Sequence, residues 1–208
     1  MFGDLLRVVS RAEADAEMKL HLKAFPFCEE YRGAHPLARK VFDTAHFTAG
    51  EHFLVLDCDV LFFQEPREIR AWADVGAEKC WFIEDAVEGS IITVAEARDE
   101  LGVKLWRRVN AGICLLWKPA IDFDFCDRTL AQTSILKGLP ERIAGTLLAL
   151  CASQHGEGGL LPKSYEVSPD RHAEKDAIAR HYSGGERERF FSDGLDRIRE
   201  SVLNIAED

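Results

Sequence analysis

What this chain lacks narrows its reading first. It has no basic excess: 26 Lys and Arg stand against 36 Asp and Glu, a net charge of −10. Nucleic-acid and anionic-membrane binders need a basic footprint, so neither partner is expected. A small anionic ligand stays open, because it needs only local positive charge or a metal. No window approaches the ~20 apolar residues of a membrane span. The opening "MFGDLLRVVS" has neither the basic start nor the long apolar stretch of a signal peptide. The cysteines (Cys28, Cys58, Cys80, Cys114, Cys126, Cys151) include no Cys-x-x-Cys pair. Four lie in or beside apolar runs, which favours reduced, buried thiols and a cytoplasmic location. Repeats, low-complexity tracts and evident linkers are missing as well.

What is present is enough for one domain with a real core: 208 residues, 47% hydrophobic and 30% charged. The chain alternates between strand and helix patterns. "DLLRVVS" suits a short strand, and Ser10-Arg11-Ala12-Glu13 is a capping box that starts a helix over Arg11 to Lys23. "FPFCEEYRGAH" reads as irregular. Pro36 opens a helix over "PLARKVFDTAHF", and Gly50 closes the turn after it. Strands are expected at Phe53–Leu56, at Cys80–Ile83 and along "AGICLLWKP". Helices are expected over "EPREIRAWADV", over "LPERIAGTLLALCAS" and from Ser192, the last burying Leu195, Ile198, Val202 and Ile205. Continuous apolar strands between helices indicate an α/β protein with a mostly parallel central sheet flanked by helices.

Within "FLVLDCDVLFF", two acids interrupt an apolar run. On a strand, Asp57 and Asp59 would share one face and Cys58 would take the other. They follow Phe53-Leu54-Val55-Leu56, hence the carboxyl end of a buried strand, where ligands of open α/β sheets bind. Two close carboxylates repel unless a cation neutralises them. Mg²⁺ or Mn²⁺ suits such a pair and fills its remaining positions with water and phosphate oxygens. An Asp-x-Asp triplet alone is weak, since about one is expected by chance at this length. Asp122-Phe123-Asp124 is a second instance, outside any apolar run, and reads as solvated surface. Haloacid-dehalogenase-type phosphatases also end a strand in Asp-x-Asp. Their triplet continues with a small residue and a threonine, whereas Val60-Leu61-Phe62-Phe63 follows here.

Four segments in order strengthen the metal reading. "RKVFDTAHFTAGEHFLVLDCDVLFF" resembles the metal-binding segment of GT-A glycosyltransferases, in particular the glycogenin-like and lipopolysaccharide galactosyltransferase-like retaining group. Lys40, with Arg39, falls where that group carries a lysine. "VNAGICLLWKP" is similar to its Asn-Ala/Ser-Gly strand through Asn110, Ala111 and Gly112. "GLLPKSYEV" matches at Tyr165 and departs at Glu166. "ARHYSGGERER" resembles its His-Tyr/Phe-x-Gly motif through His181 and Gly184. The resemblance runs over roughly 36–191. It implies a single GT-A-like domain over 1–208, with Asp57, Asp59 and His181 as metal ligands and Lys40, Asn110, Ala111, Gly112 and Gly184 at the donor. It also implies Mn²⁺ or Mg²⁺ as cofactor and hexosyl transfer, with retention, from a nucleotide-diphosphate sugar such as a UDP-sugar. The acceptor is then a saccharide, a lipid-linked glycan or a protein.

The same residues have plainer readings. His181 can be a hydrogen-bonded structural residue, Asn110 a turn cap, Tyr165 core packing and Gly184-Gly185 a turn. Arg39 and Lys40 can be solvated helix charges.

Three departures from the group stand out. The segment before Asp57 is short, so part of the usual N-terminal nucleotide-binding strands is missing. Ala144 and Gly145 fall where relatives carry an acid and a glutamine near the reacting sugar. The lysine after the His-x-x-Gly motif is absent, leaving Arg187 or Arg189 to meet a diphosphate. Glu84 and Asp85 end the next strand, and Asp85 is a weak catalytic candidate. The departures raise two rivals: a catalytically silent homologue that binds metal or nucleotide or acts by interaction, and a reading frame that extends upstream of Met1. An incomplete sheet edge would also favour a homodimer.

Overall fold

The computed structural model describes residues 6–132, 134–155, 158–167 and 175–199. Helix α1 (Arg11–His21) starts at its cap, where the Ser10 hydroxyl accepts from the Glu13 backbone N–H at 3.2 Å. Leu6–Ser10 forms no strand; Leu6 and Val8 face solvent, and among the described residues no strand pairs with this segment. The stretch expected to be irregular is helix α2 (Pro26–Ala34). Pro26 opens it rather than breaking it, and Cys28 and Tyr31, one turn apart, are buried together. The Pro36 segment divides into a 3₁₀ turn, Pro36–Lys40, and helix α3 (Phe42–Phe47).

Strand β1 (His52–Leu56) leads through a tight turn into β2 (Val60–Phe62). Helix α4 (Arg67–Val75) ends on left-handed Gly76, and β3 (Cys80–Glu84) follows. Helix α5 (Val94–Leu101) carries a Thr93/Glu96 capping box. Strand β4 (Val109–Trp117) precedes α6 (Phe123–Gln132). Asp122 is no idle surface acid: its Oδ1 accepts from the N–H groups of Asp124 at 2.9 Å and Phe125 at 3.3 Å and so starts α6. Helix α7 (Pro140–Gln154) and strands β5 (Gly158–Leu160), β6 (Tyr165–Glu166) and β7 (Ala179–His181) follow. Past β7, the helical stretch Phe190–Leu195 is a wide π turn, which shifts the inward position to Gly194. Leu195 is therefore exposed and Ile198 half-buried, rather than both being core; Val202 and Ile205 lie outside the described residues.

The protein is α/β, but among the described residues its sheets are mixed rather than mostly parallel. One sheet has the order β1-β4-β3-β5 and the other β2-β7-β6. The pairs β1–β4, β3–β4 and β2–β7 are antiparallel; β3–β5 and β6–β7 are parallel. Unbroken apolar runs report burial on both faces, not strand direction. On β4, Cys114 and Leu116 enter a core with α1, α2, α3, α6 and α7, while Ile113 and Leu115 enter another with α4 and the small sheet. Two-sided burial thus explains the run without a parallel neighbour.

A buried ion pair braces the helices before β1. Arg32 donates twice to Asp43, both bonds at 2.7 Å, and meets Asp15 at 3.0 Å. This ties α1, α2 and α3 around the 3₁₀ turn that carries Lys40.

Candidate metal centre

Asp57 and Asp59 sit in the turn between β1 and β2, not on one face of a strand. The Asp57 N–H continues the β1 ladder to Gly112 O at 2.9 Å, and Val60 N–H closes on Asp57 O at 3.2 Å. The turn then binds the second sheet: Tyr182 N–H donates to Asp59 O at 2.9 Å, and Val60 pairs with His181 across β2–β7. That pairing carries His181 from the far end of the chain to the acids. Its Nε2 lies 3.1 Å from Asp59 Oδ1 and 3.5 Å from Asp57 Oδ2. One ligand atom from each of the three residues falls within 4.8 Å of the others.

Burial holds the His181 pKa below its ordinary value, against the opposing pull of Asp59 and Asp57. The site thus sets two carboxylates beside an imidazole. All are electron-pair donors suited to a hard or borderline divalent ion. A protein cation already answers part of this charge: Lys40 pairs with Asp57 and donates to Ala111 O at 3.0 Å. The exposed Arg187 guanidinium lies 3.4 Å from Asp59 Oδ2. Arg39 points elsewhere, to Asp15 at 3.6 Å.

An irregularity in β4 builds the floor. The β3–β4 register shifts so that Phe82 faces Cys114 while the next residue, Ile83, faces Asn110. Ala111, Gly112 and Ile113 are left unmatched on β3, as at a bulge that re-aims side chains. The Ala111 carbonyl turns to Lys40, and Gly112 lies under the His181 ring. A Cβ on Gly112 would fall 2.2 Å from His181 Nδ1, so what crowds this glycine is the histidine. Asn110 is 8% exposed and bonds within the protein: Oδ1 faces His181 Nδ1 at 2.9 Å and Gly112 N–H at 2.8 Å, and Nδ2 donates to Asp85 at 2.8 Å. Gly184 takes a left-handed φ of 62° in the turn after His181. Tyr165 is core packing, its hydroxyl donating to Glu68 at 2.8 Å.

Asp57, Asp59, Lys40, Asp85, Asn110, Ala111, Gly112, His181 and Gly184 all border one cleft of about 420 Å³. That is within the range of about 300–1,000 Å³ typical of small-molecule sites. Glu141 and Arg142 in the first turn of α7 also border it. The sequence reading missed them, although Pro140 marked the helix start. Gly145 opens onto the cleft with nothing within 4 Å of a Cβ position, and Ala144 is buried.

No family model matches the chain, and neither does any curated protein or solved structure.

Proposed function

We propose that the chain is a GT-A-type glycosyltransferase that moves a hexosyl group from a nucleotide diphosphate, best a UDP-sugar, to a saccharide, lipid-linked or protein acceptor. The observation that carries this reading is the convergence of Asp57, Asp59 and His181 at one edge of a ligand-sized cleft, with Lys40 and Arg187 beside them. Those three residues would hold Mn²⁺ or Mg²⁺. A bound ion would stabilise negative charge on a diphosphate leaving group. Lys40 and Arg187 supply cationic contacts to phosphate oxygens, Arg187 from the rim.

A second reading, a silent homologue that binds the nucleotide and metal without transfer, has support of its own. Ala144 and Gly145 offer no polar side chain. Asp85 uses Oδ2 on Asn110 and Oδ1 on Val87 N–H at 3.3 Å. Calorimetric titration of UDP with and without Mn²⁺ tests both readings. Mn²⁺-dependent binding that Asp59→Ala abolishes is expected, and Mn²⁺-independent behaviour would reject the site. Turnover of a labelled UDP-sugar then separates the enzyme from the silent homologue.

The reading extends to a homodimer. Strand β1 is a sheet edge that exposes Leu54 (39%) and Leu56 (44%). Light scattering should find a dimer for the wild type and a monomer for Leu54→Lys; a monomeric wild type removes this part.

A further inference from the structure

We propose that Asn110, oriented by Asp85, is a positioning residue that holds His181 in its Nδ1–H tautomer and so presents the Nε2 lone pair to the cation shared with Asp57 and Asp59. This rests on the metal reading of the cleft.

Two neighbours of opposite kind set the Asn110 amide. The Gly112 backbone N–H can only donate, and it meets one amide atom at 2.8 Å. The Asp85 carboxylate can only accept, and it meets the other at 2.8 Å. The oxygen therefore faces Gly112 and the nitrogen faces Asp85. That same oxygen lies 2.9 Å from His181 Nδ1. An acceptor there calls for a proton on Nδ1, and a ring carrying that proton alone offers its lone pair at Nε2. Nε2 then faces Asp59 Oδ1 at 3.1 Å and Asp57 Oδ2 at 3.5 Å. Without a metal these carboxylates, already met by Lys40 and Arg187, can also accept a proton from Nε2; a bound ion takes that proton's place, while the Asn110 bond keeps the other proton on Nδ1.

Asp85 is itself held firmly. Its N–H donates to Arg108 O at 2.7 Å, and its Oδ1 accepts from Val87 N–H. Arg108 adopts a left-handed φ of 57° and returns its guanidinium to Asp85 O at 2.9 Å and Ala86 O at 3.3 Å. A non-glycine residue in that conformation persists where its surroundings over-determine it. The chain from Arg108 through Asp85 and Asn110 to His181 thus orients a ligand from behind, as outer partners of metal-bound histidines do.

The test reads tautomer and affinity separately. Imidazole ¹H–¹⁵N correlation spectra of the metal-free protein near neutral pH report the protonated nitrogen, with His181 assigned by the signal lost in His181→Gln. The wild type should show Nδ1–H. Asn110→Ala and Asp85→Ala should shift His181 toward Nε2–H and weaken Mn²⁺ binding by about 10- to 100-fold. Asp85→Asn, whose amide oxygen still accepts from Asn110, should restore the tautomer that Asp85→Ala loses; this controls for a variant that merely unfolds. An Nδ1 without a proton in the wild type, or both alanine variants leaving tautomer and affinity unchanged, would overturn the proposal. An Nδ1–H wild type that takes up no Mn²⁺ would refute the metal reading, and the positioning role with it, while the tautomer stood. The two failures are thereby distinguished.

Discussion

Gly112 shows how much of the site depends on the absence of one methyl group. Its missing Cβ is the space into which the His181 ring packs. Gly112→Ala should keep the far-UV circular dichroism of the wild type, displace the ring and weaken Mn²⁺ binding about tenfold or more; unchanged affinity would show that the ring is not confined there. The cysteines give a prediction independent of the metal. Cys58 is exposed and the other five are buried. Burial raises the Cys80 thiol to about 11 and pushes Cys114 up to about 12. At pH 8 a thiol reagent should therefore label Cys58 alone in the native protein and all six cysteines after denaturation. Because these folded-state values are raised, their contribution to stability is complete below the ordinary thiol value of 9.0 and is lost as pH rises toward about 11 for Cys80 and about 12 for Cys114. Urea melts at pH 8 and pH 10 should show the fall.

Among the elements, the local ones were the legible ones. The Ser10 cap, the β1, β3 and β4 apolar runs and the long α7 stripe all follow from neighbours in sequence. Helix α2 was not read, because Pro26 serves equally as a breaker and as a first helical residue and only the burial of Cys28 and Tyr31 decides. The Thr93/Glu96 box that starts α5 is equally local. Strand direction was not encoded in burial. Asp57 and Asp59 announced themselves as acids inside an apolar run. His181 did so only through a family-like motif, since the β2–β7 pairing that delivers it is long-range. The helices in front of the site hang on the Arg32–Asp43 pair, which lies between α2 and α3. Asp43→Ala removes both 2.7 Å bonds and leaves buried Arg32 only the half-exposed Asp15 at 3.0 Å, so it should cost stability in urea unfolding, up to about 3–5 kcal/mol. A change within experimental error would show that the pair does not brace this region.

Taken whole, the molecule places its acids where two sheets meet. Asp57 extends β1 of the larger sheet, while His181 ends β7 of the smaller one. An ion held by both would cross-link the two layers and raise the midpoint of thermal unfolding in proportion to its occupancy. Among the described residues, no helix is long and apolar enough to cross a membrane. The most direct measurement is titration of Mn²⁺ into the metal-free protein, followed by the electron paramagnetic resonance of the free ion. One Mn²⁺ per chain is predicted for the wild type, with affinity falling about tenfold or more in both Asp59→Ala and His181→Gln. Failure of the wild type to take up the ion, or equal uptake by all three proteins, would contradict the account.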